Sequence, residues 1–258
     1  MNVARCIAIG EALKINQVLT KLVCQYNGIG PAGCKGVVNG LKMNTSIVDL
    51  SFISNDIGLE GCKAIEDMLH VDTCLKSLNL ERNHIGFSGF RYIMEGLKLH
   101  TMLVSLNLSR TSLGNEGALL VSQLLKLTTS LLRLNLRCNN IGPKGCKLIA
   151  DSLIENISLG YLDLSNNPLG GCTALGMLIR KNTKLHWLGL RETRMGQDNS
   201  EDIAAALAVN TNIIFMSIGV STRFAAYTSI LAATLDNRSL DALGMKFDGI
   251  KGLIKPYM

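Results

Sequence analysis

The sequence predicts one α/β domain, a solenoid in which short parallel strands alternate with helices. Three observations carry this. An apolar motif, L-x-x-L-x-L-x-x-N-x-I-G, begins at Leu19, Ile47, Leu75, Leu103, Leu131, Leu159, Leu185, Ile213 and Leu240. Its spacing is 28 residues five times in succession and then 26 to 28. Between the copies runs a second pattern, apolar at i, i+3 and i+7, which has the period of a helix.

Each element follows from those patterns. The first, fourth and sixth motif positions frame a strand. Alternation turns Leu134 and Leu136 inward and Arg133, Asn135 and Arg137 outward. The ninth position reads Asn27, Asn55, Asn83, Thr111, Asn139, Asn167, Thr193, Ser221 and Asp248. All are short polar side chains able to bond backbone groups as the chain leaves the strand. The glycine after it, as in Gly58 and Gly86, permits a tight turn. Helix stripes follow at Cys34, Val37, Leu41 and Cys62, Ile65, Leu69, and again at Cys146, Ile149, Leu153. The stripe Cys6, Ile9, Leu13 precedes the first strand, so the chain opens on a repeat's helix. The expected organisation is a partial repeat helix over 1–18, eight repeats over 19–239, and a terminal strand with a short tail over 240–258. Neither end carries an evident polar cap, which suggests a covering partner or a longer molecule.

Composition narrows the function classes. Aromatics are 5% and charged residues 18% of the chain, so the core is aliphatic and disorder is not expected. The formal charge of +6 is mild for this surface, and no basic run or nucleic-acid motif accompanies it. No segment reads as a signal peptide or a membrane span, so an intracellular, cytoplasmic protein is expected. The sequons at Asn44, Asn107, Asn156 and Asn237 are read as chance.

Catalysis and metal binding find no support. Cys6, Cys34, Cys62, Cys146 and Cys172 share the first buried helix slot, which Phe90, Ala118, Ser200 and Thr228 fill elsewhere. A slot that accepts those residues needs volume rather than sulfur chemistry. Cys24 is read as core, Cys138 as more accessible, and Cys74 has no clear place. The absence of C-x-x-C argues against a local zinc or redox site. His70, His84, His100 and His186 fall at four different repeat positions and are read as solvated. No cofactor, metal, catalytic residue or small-molecule substrate is expected.

The repeat Leu131 to Gly142, LLRLNLRCNNIG, resembles the ribonuclease-inhibitor-like class of leucine-rich repeats. That class includes ribonuclease inhibitor, NOD-like-receptor sensor regions, the Ran GTPase-activating protein and the C-terminal part of tropomodulins. The resemblance implies a horseshoe with a concave parallel sheet and convex helices, used to bind proteins. It also brings two alternatives, a regulatory GTPase activator and a detached NOD-like-receptor sensor region. For the first, Arg82, Arg110 and Arg194 lie in comparable post-strand turns, without a motif that carries the activity over.

A binding surface is read from positions the repeat leaves free. The third motif position holds Tyr161, Trp187 and Phe215 in three successive repeats, and Trp187 is the sole tryptophan. Strands about 4.8 Å apart would line these rings into a ladder, flanked by Arg133, Arg137 and Arg191. Aromatic and arginine clusters dominate interface energies. Packing of the rings on one another is the competing account. A protein partner is expected, with nucleic acid and membrane insertion disfavoured, and the chain is read as a component of a larger assembly.

Overall fold

The computed structural model describes residues 2–71, 74–219, 230, 242–247 and 250–254. Leu240, Ser221, Thr228, Asp248 and the sequon at Asn237 lie outside them, as do the tail residues Gly249 and 255–258. Strand and helix alternate as the repeat requires: α1 (Val3–Ile15), β1 (Lys21–Val23), α2 (Gly30–Leu41), β2 (Asp49–Ser51), α3 (Gly58–Leu69), β3 (Ser77–Asn79), α4 (Gly86–Leu99) and β4 (Ser105–Asn107). There follow α5 (Gly114–Leu127), β5 (Arg133–Asn135), α6 (Pro143–Ile154), β6 (Tyr161–Asp163), α7 (Ala174–Lys181), β7 (Trp187–Leu190), α8 (Gln197–Leu207) and β8 (Phe215–Gly219). Two more strands, β9 (Ala242–Phe247) and β10 (Ile250–Ile254), come last among the described residues.

The chain divides into two compact units. The first holds Met1–Leu113 and Leu127–Leu132, the second Gly114–Lys126 and Arg133–Met258. In the first, β1 to β4 are parallel with equal motif positions in register, as in Leu22↔Leu50↔Leu78↔Leu106. The strands have three residues, yet the ladder continues into the turns, where Phe52 N–H donates to Asn79 O (2.9 Å) and Ser54 N–H to Glu81 O (2.9 Å). In the second unit, β5 to β9 are parallel in the register Arg133↔Tyr161↔Trp187↔Phe215↔Ala242. The stretch read as a short tail holds β10, which pairs antiparallel with β9.

The core lies where the two periodicities meet. Leu134, Leu136, Cys146, Ile149 and Leu153 are fully buried, as are Leu50, Cys34 and Val37. The opening stripe behaves as an end should: Cys6 and Leu13 are buried while Ile9 is half-exposed. Here α1 lies unusually close to α2, because Gly10 faces Gly36 and Gly40, and a methyl group on Gly10 or Gly40 would overlap the opposing backbone.

Two polar columns hold the turns. The first is the one read from the ninth motif position. The Asn83 amide donates to Phe52 O and Leu80 O (2.8 and 2.9 Å), and its oxygen accepts from Asn55 N–H (3.1 Å). In the second unit Asn167 accepts from Asn139 and Ile141 N–H (2.9 and 3.0 Å). Thr111 and Thr193 bond their own strand, at Leu108 O and Leu190 O. The second column lies at the helix C-termini and escaped the sequence reading. Asn44 donates to Leu13 O and Asn16 O (2.8 and 2.7 Å) and accepts from Ser46 and Ile47 N–H (2.9 and 2.8 Å). Asn156, Asn182 and Asn210 repeat this arrangement in the second unit. At two of the sequons the asparagine, Asn44 or Asn156, is thus buried and structural.

Candidate functional site

The outward face of β5 to β8 builds the site. Parallel register puts Tyr161, Trp187 and Phe215 side by side at one position of three strands. Tyr161 and Trp187 stack with ring centroids 4.0 Å apart and planes 14° from parallel. Trp187 and Phe215 stack at 5.5 Å and 8°. These separations bracket the strand spacing of about 4.8 Å, so the sheet itself sets the pitch of the stack. All three rings are half-buried. Trp187 spends both faces on its neighbours and keeps an edge toward solvent.

One glycine makes this possible. Gly189 is two residues along the same strand and shares its face with Trp187. A Cβ there would lie 2.8 Å from the Trp187 six-membered ring and 2.5 Å from Asp163 Oδ1. The ring therefore lies down along β7 over a position without a side chain. Asp163, in register with Gly189, is buried, and its Oδ1 accepts from Ser165 N–H (2.9 Å).

The arginines divide. Arg133 and Arg137 are exposed, and Arg133 pairs in register with Tyr161. Burial pushes the Tyr161 hydroxyl up, Asp163 adds to this, and Arg133 and Arg137 oppose it. Both guanidinium groups therefore bear on the tyrosine end of the stack. Arg191 follows β7, half-buried, with its N–H accepted by the Ser165 hydroxyl (3.2 Å).

Other candidates resolve into structure. Cys6, Cys34, Cys62, Cys146 and Cys172 are buried, as is Cys24, while Cys74 and Cys138 are partly exposed. Cys74 donates to Thr45 O, which gives it a place ahead of β3. Burial pushes the Cys62 thiol up to about 12 and Cys34 higher still, so neither is a nucleophile at neutral pH. Cys146 and Cys172 are hydrogen-bonded to each other. That bond and burial raise Cys146, while Cys172 is lowered by the same bond and by the Ala174 and Leu175 N–H groups. His70, His84 and His186 are exposed, but His100 corrects the reading of solvated histidines. It is buried, with Nε2 2.8 Å from Leu75 O, because it occupies the slot that Asn44 and Asn156 fill in other repeats. No group of three His, Cys, Asp or Glu could hold a metal ion among the described residues.

The turn arginines Arg82, Arg110 and Arg194 share a left-handed backbone, with φ of 57°, 57° and 56°. Arg82 donates to the Tyr26 hydroxyl (3.3 Å). Arg194 borders an open polar groove with Cys138, Asn140, Asn166 and Glu192. No helix among the described residues is long and apolar enough to cross a membrane.

Comparison with known proteins agrees with this architecture. A family model described as leucine-rich repeat matches residues 71–94, 100–122 and 129–150. The leucine-rich-repeat-containing protein LegL7 from Legionella pneumophila is 16% identical over 92% of this chain and 87% of its own, with a TM-score of 0.54. Internalin C2 from Listeria monocytogenes is 15% identical over 93% of this chain and 92% of its own, at 0.47. The tropomodulin C-terminal domain of Caenorhabditis elegans is 17% identical over 68% of this chain and 92% of its own, at 0.46. No curated protein matches the chain. The likeness to LegL7 speaks to fold alone. Residues 71–94, 100–122 and 129–150 match leucine-rich repeats, and the fold is that of a leucine-rich-repeat solenoid, which commonly serves as a protein-interaction module.

Proposed function

We propose that the protein is a non-enzymatic interaction module of the cytoplasm that binds a protein partner on the outward face of β5 to β8. Tyr161, Trp187 and Phe215 form the apolar anchor, and Arg133, Arg137 and Arg191 form its charged rim. The observation that carries this is the stack itself, three large rings in register at a position that the repeat leaves free. Elsewhere that position holds Lys21, Asp49, Ser77 and Ser105. A repeat that folds with serine there does not need tryptophan for its own stability.

Because both faces of Trp187 are taken by its neighbours, a partner would meet the edges and outer ends of the stack and the guanidinium groups beside Tyr161. That chemistry suits a segment pairing an aliphatic or aromatic side chain with a carboxylate, which Arg receives in bidentate fashion. The test is affinity capture from native extract with three baits: wild type, a Tyr161/Trp187/Phe215 triple alanine variant, and Arg133→Glu/Arg137→Glu. The last leaves the stack intact. Specific partners should be lost from both variants. Retention on both would remove this face from consideration.

A further inference from the structure

The helix C-termini of the first unit carry a second surface. Ile15, Met43, Val71, Leu99 and Leu127 recur every 28 residues, and all five belong to that unit. They are 85%, 65%, 37%, 69% and 60% exposed. The stacking of repeats does not require them, since the preceding column Leu13, Leu41, Leu69 and Leu97 is buried and does the packing. Val18 and Met102 extend the apolar surface and are 85% and 43% exposed. An exposed apolar position kept in five successive repeats differs from the single exposed leucines any protein carries.

Beside this row runs a basic one, Lys14, Lys42, His70 and Lys98, at the position just before it in each repeat. Lys14 and Lys98 pair with Glu11 and Glu95 one turn back, and Lys42 with Asp67 of the next helix. These are solvated pairs that a competing carboxylate can exchange at little cost. In the second unit the column reads Glu155, Lys181 and Val209, so two charged residues interrupt the apolar row after Leu127.

We infer that this row docks an acidic amphipathic helix of a partner protein. Three observations select that occupant. The basic column favours a negatively charged partner and opposes a second copy of this chain, in which lysines would face lysines. Neither column contains Trp, Tyr or Phe, and Trp and Tyr anchors are what enrich membrane-interface surfaces. The length also fits. Neighbouring helix axes lie about 8–10 Å apart, so five side chains span about 32–40 Å, the length of about 24 helical residues at 1.5 Å each.

The inference is independent of the aromatic site, and the lone Trp187 keeps the two separable. The probe is a fluorescein-labelled 24-residue peptide with leucines on one helical face and glutamates on the other, compared with a lysine-for-glutamate counterpart by anisotropy. Wild type should bind the acidic peptide saturably, more weakly as salt rises, without change in Trp187 emission. Met43→Glu/Leu99→Glu should weaken binding at least tenfold, and Met43→Gln/Leu99→Gln should weaken it less, with far-UV circular dichroism unchanged in both. No saturable binding, equal binding of the two peptides, or binding that the variants leave intact would each overturn the inference. So would light scattering that shows a dimer dissolved by Met43→Glu/Leu99→Glu. Sedimentation with phosphatidylserine vesicles that the peptide fails to compete would do the same, in favour of a membrane surface.

Discussion

Trp187 is large and Gly189 has no side chain, and the two are one device. A tryptophan standing away from a strand would offer both faces to solvent. Here the ring folds down over Gly189 and is clamped between Tyr161 and Phe215. Stacked pairs add about 0.5–1.5 kcal/mol each beyond their buried area. Gly189→Ala should therefore act through the tryptophan. The new methyl would meet Asp163 Oδ1 at 2.5 Å and the indole at 2.8 Å, pressing on the carboxylate and lifting the ring from the stack, at a cost of about 1–3 kcal/mol for overpacking. Urea denaturation should show that loss together with a red shift of tryptophan emission. A shift without destabilisation would mean the stack contributes nothing to the fold, and destabilisation without a shift would mean that Asp163 or the backbone, not the ring, absorbs the methyl. The sequence made the ladder legible, because three aromatic residues at one repeat position can only fall side by side. It did not reveal that the faces would be consumed by stacking. That depends on Gly189 as a neighbour, and a glycine in a list of outward positions reads as an empty place rather than as room for another residue's ring.

At the scale of the element, each repeat is a strand of three to five residues and a helix joined by two turns, and the turns are where polar groups need partners. The strand-to-helix turn was legible because its asparagine is part of the motif. The helix-to-strand turn was not. Its slot reads Asn16, Asn44, Asp72, His100, Thr128, Asn156, Asn182 and Asn210, with Asp72 outside the described residues, and that chemical variety hid a common task. An asparagine there bridges two repeats, donating to the previous helix's last carbonyls and accepting from its own turn. His100 also bridges to the previous repeat, with one ring nitrogen at Leu75 O ahead of β3 rather than at a helix carbonyl, which explains a buried histidine where solvated ones were expected. The column predicts a measurable cost. Asn156→Ala would orphan Leu125 O and the Leu159 N–H, bonded now at 2.7 and 2.8 Å. At about 1–3 kcal/mol for each buried unsatisfied group, the loss should be about 2–6 kcal/mol by urea denaturation. Thr183→Ala, exposed in the next repeat, should stay within about 0.5 kcal/mol. Equal losses in the two variants would reduce the column to surface decoration.

At the scale of the molecule, a solenoid separates folding from function. Each repeat contacts its neighbours, so stability is close to a sum of repeat and interface terms. A site made of one side chain from each of three repeats exists only through their adjacency. That permits a test in which no site residue is altered. A copy of residues 131–158, inserted after Lys184, adds a complete repeat in phase with the motif. Its strand would come between β6 and β7 and place an arginine between Tyr161 and Trp187. The same copy inserted after Ser46 adds a repeat in the first unit and leaves the stack alone. Both proteins should fold, with the helical signal raised by one helix and urea midpoints near that of the parent. Only the insertion after Lys184 should alter Trp187 emission, and only it should lose the captured partner, by at least tenfold. Should both insertions lose the partner, recognition would depend on the length and curvature of the whole array. Should neither lose it, the rings would be packing groups, and the first unit's row of exposed aliphatic side chains would become the leading surface for recognition.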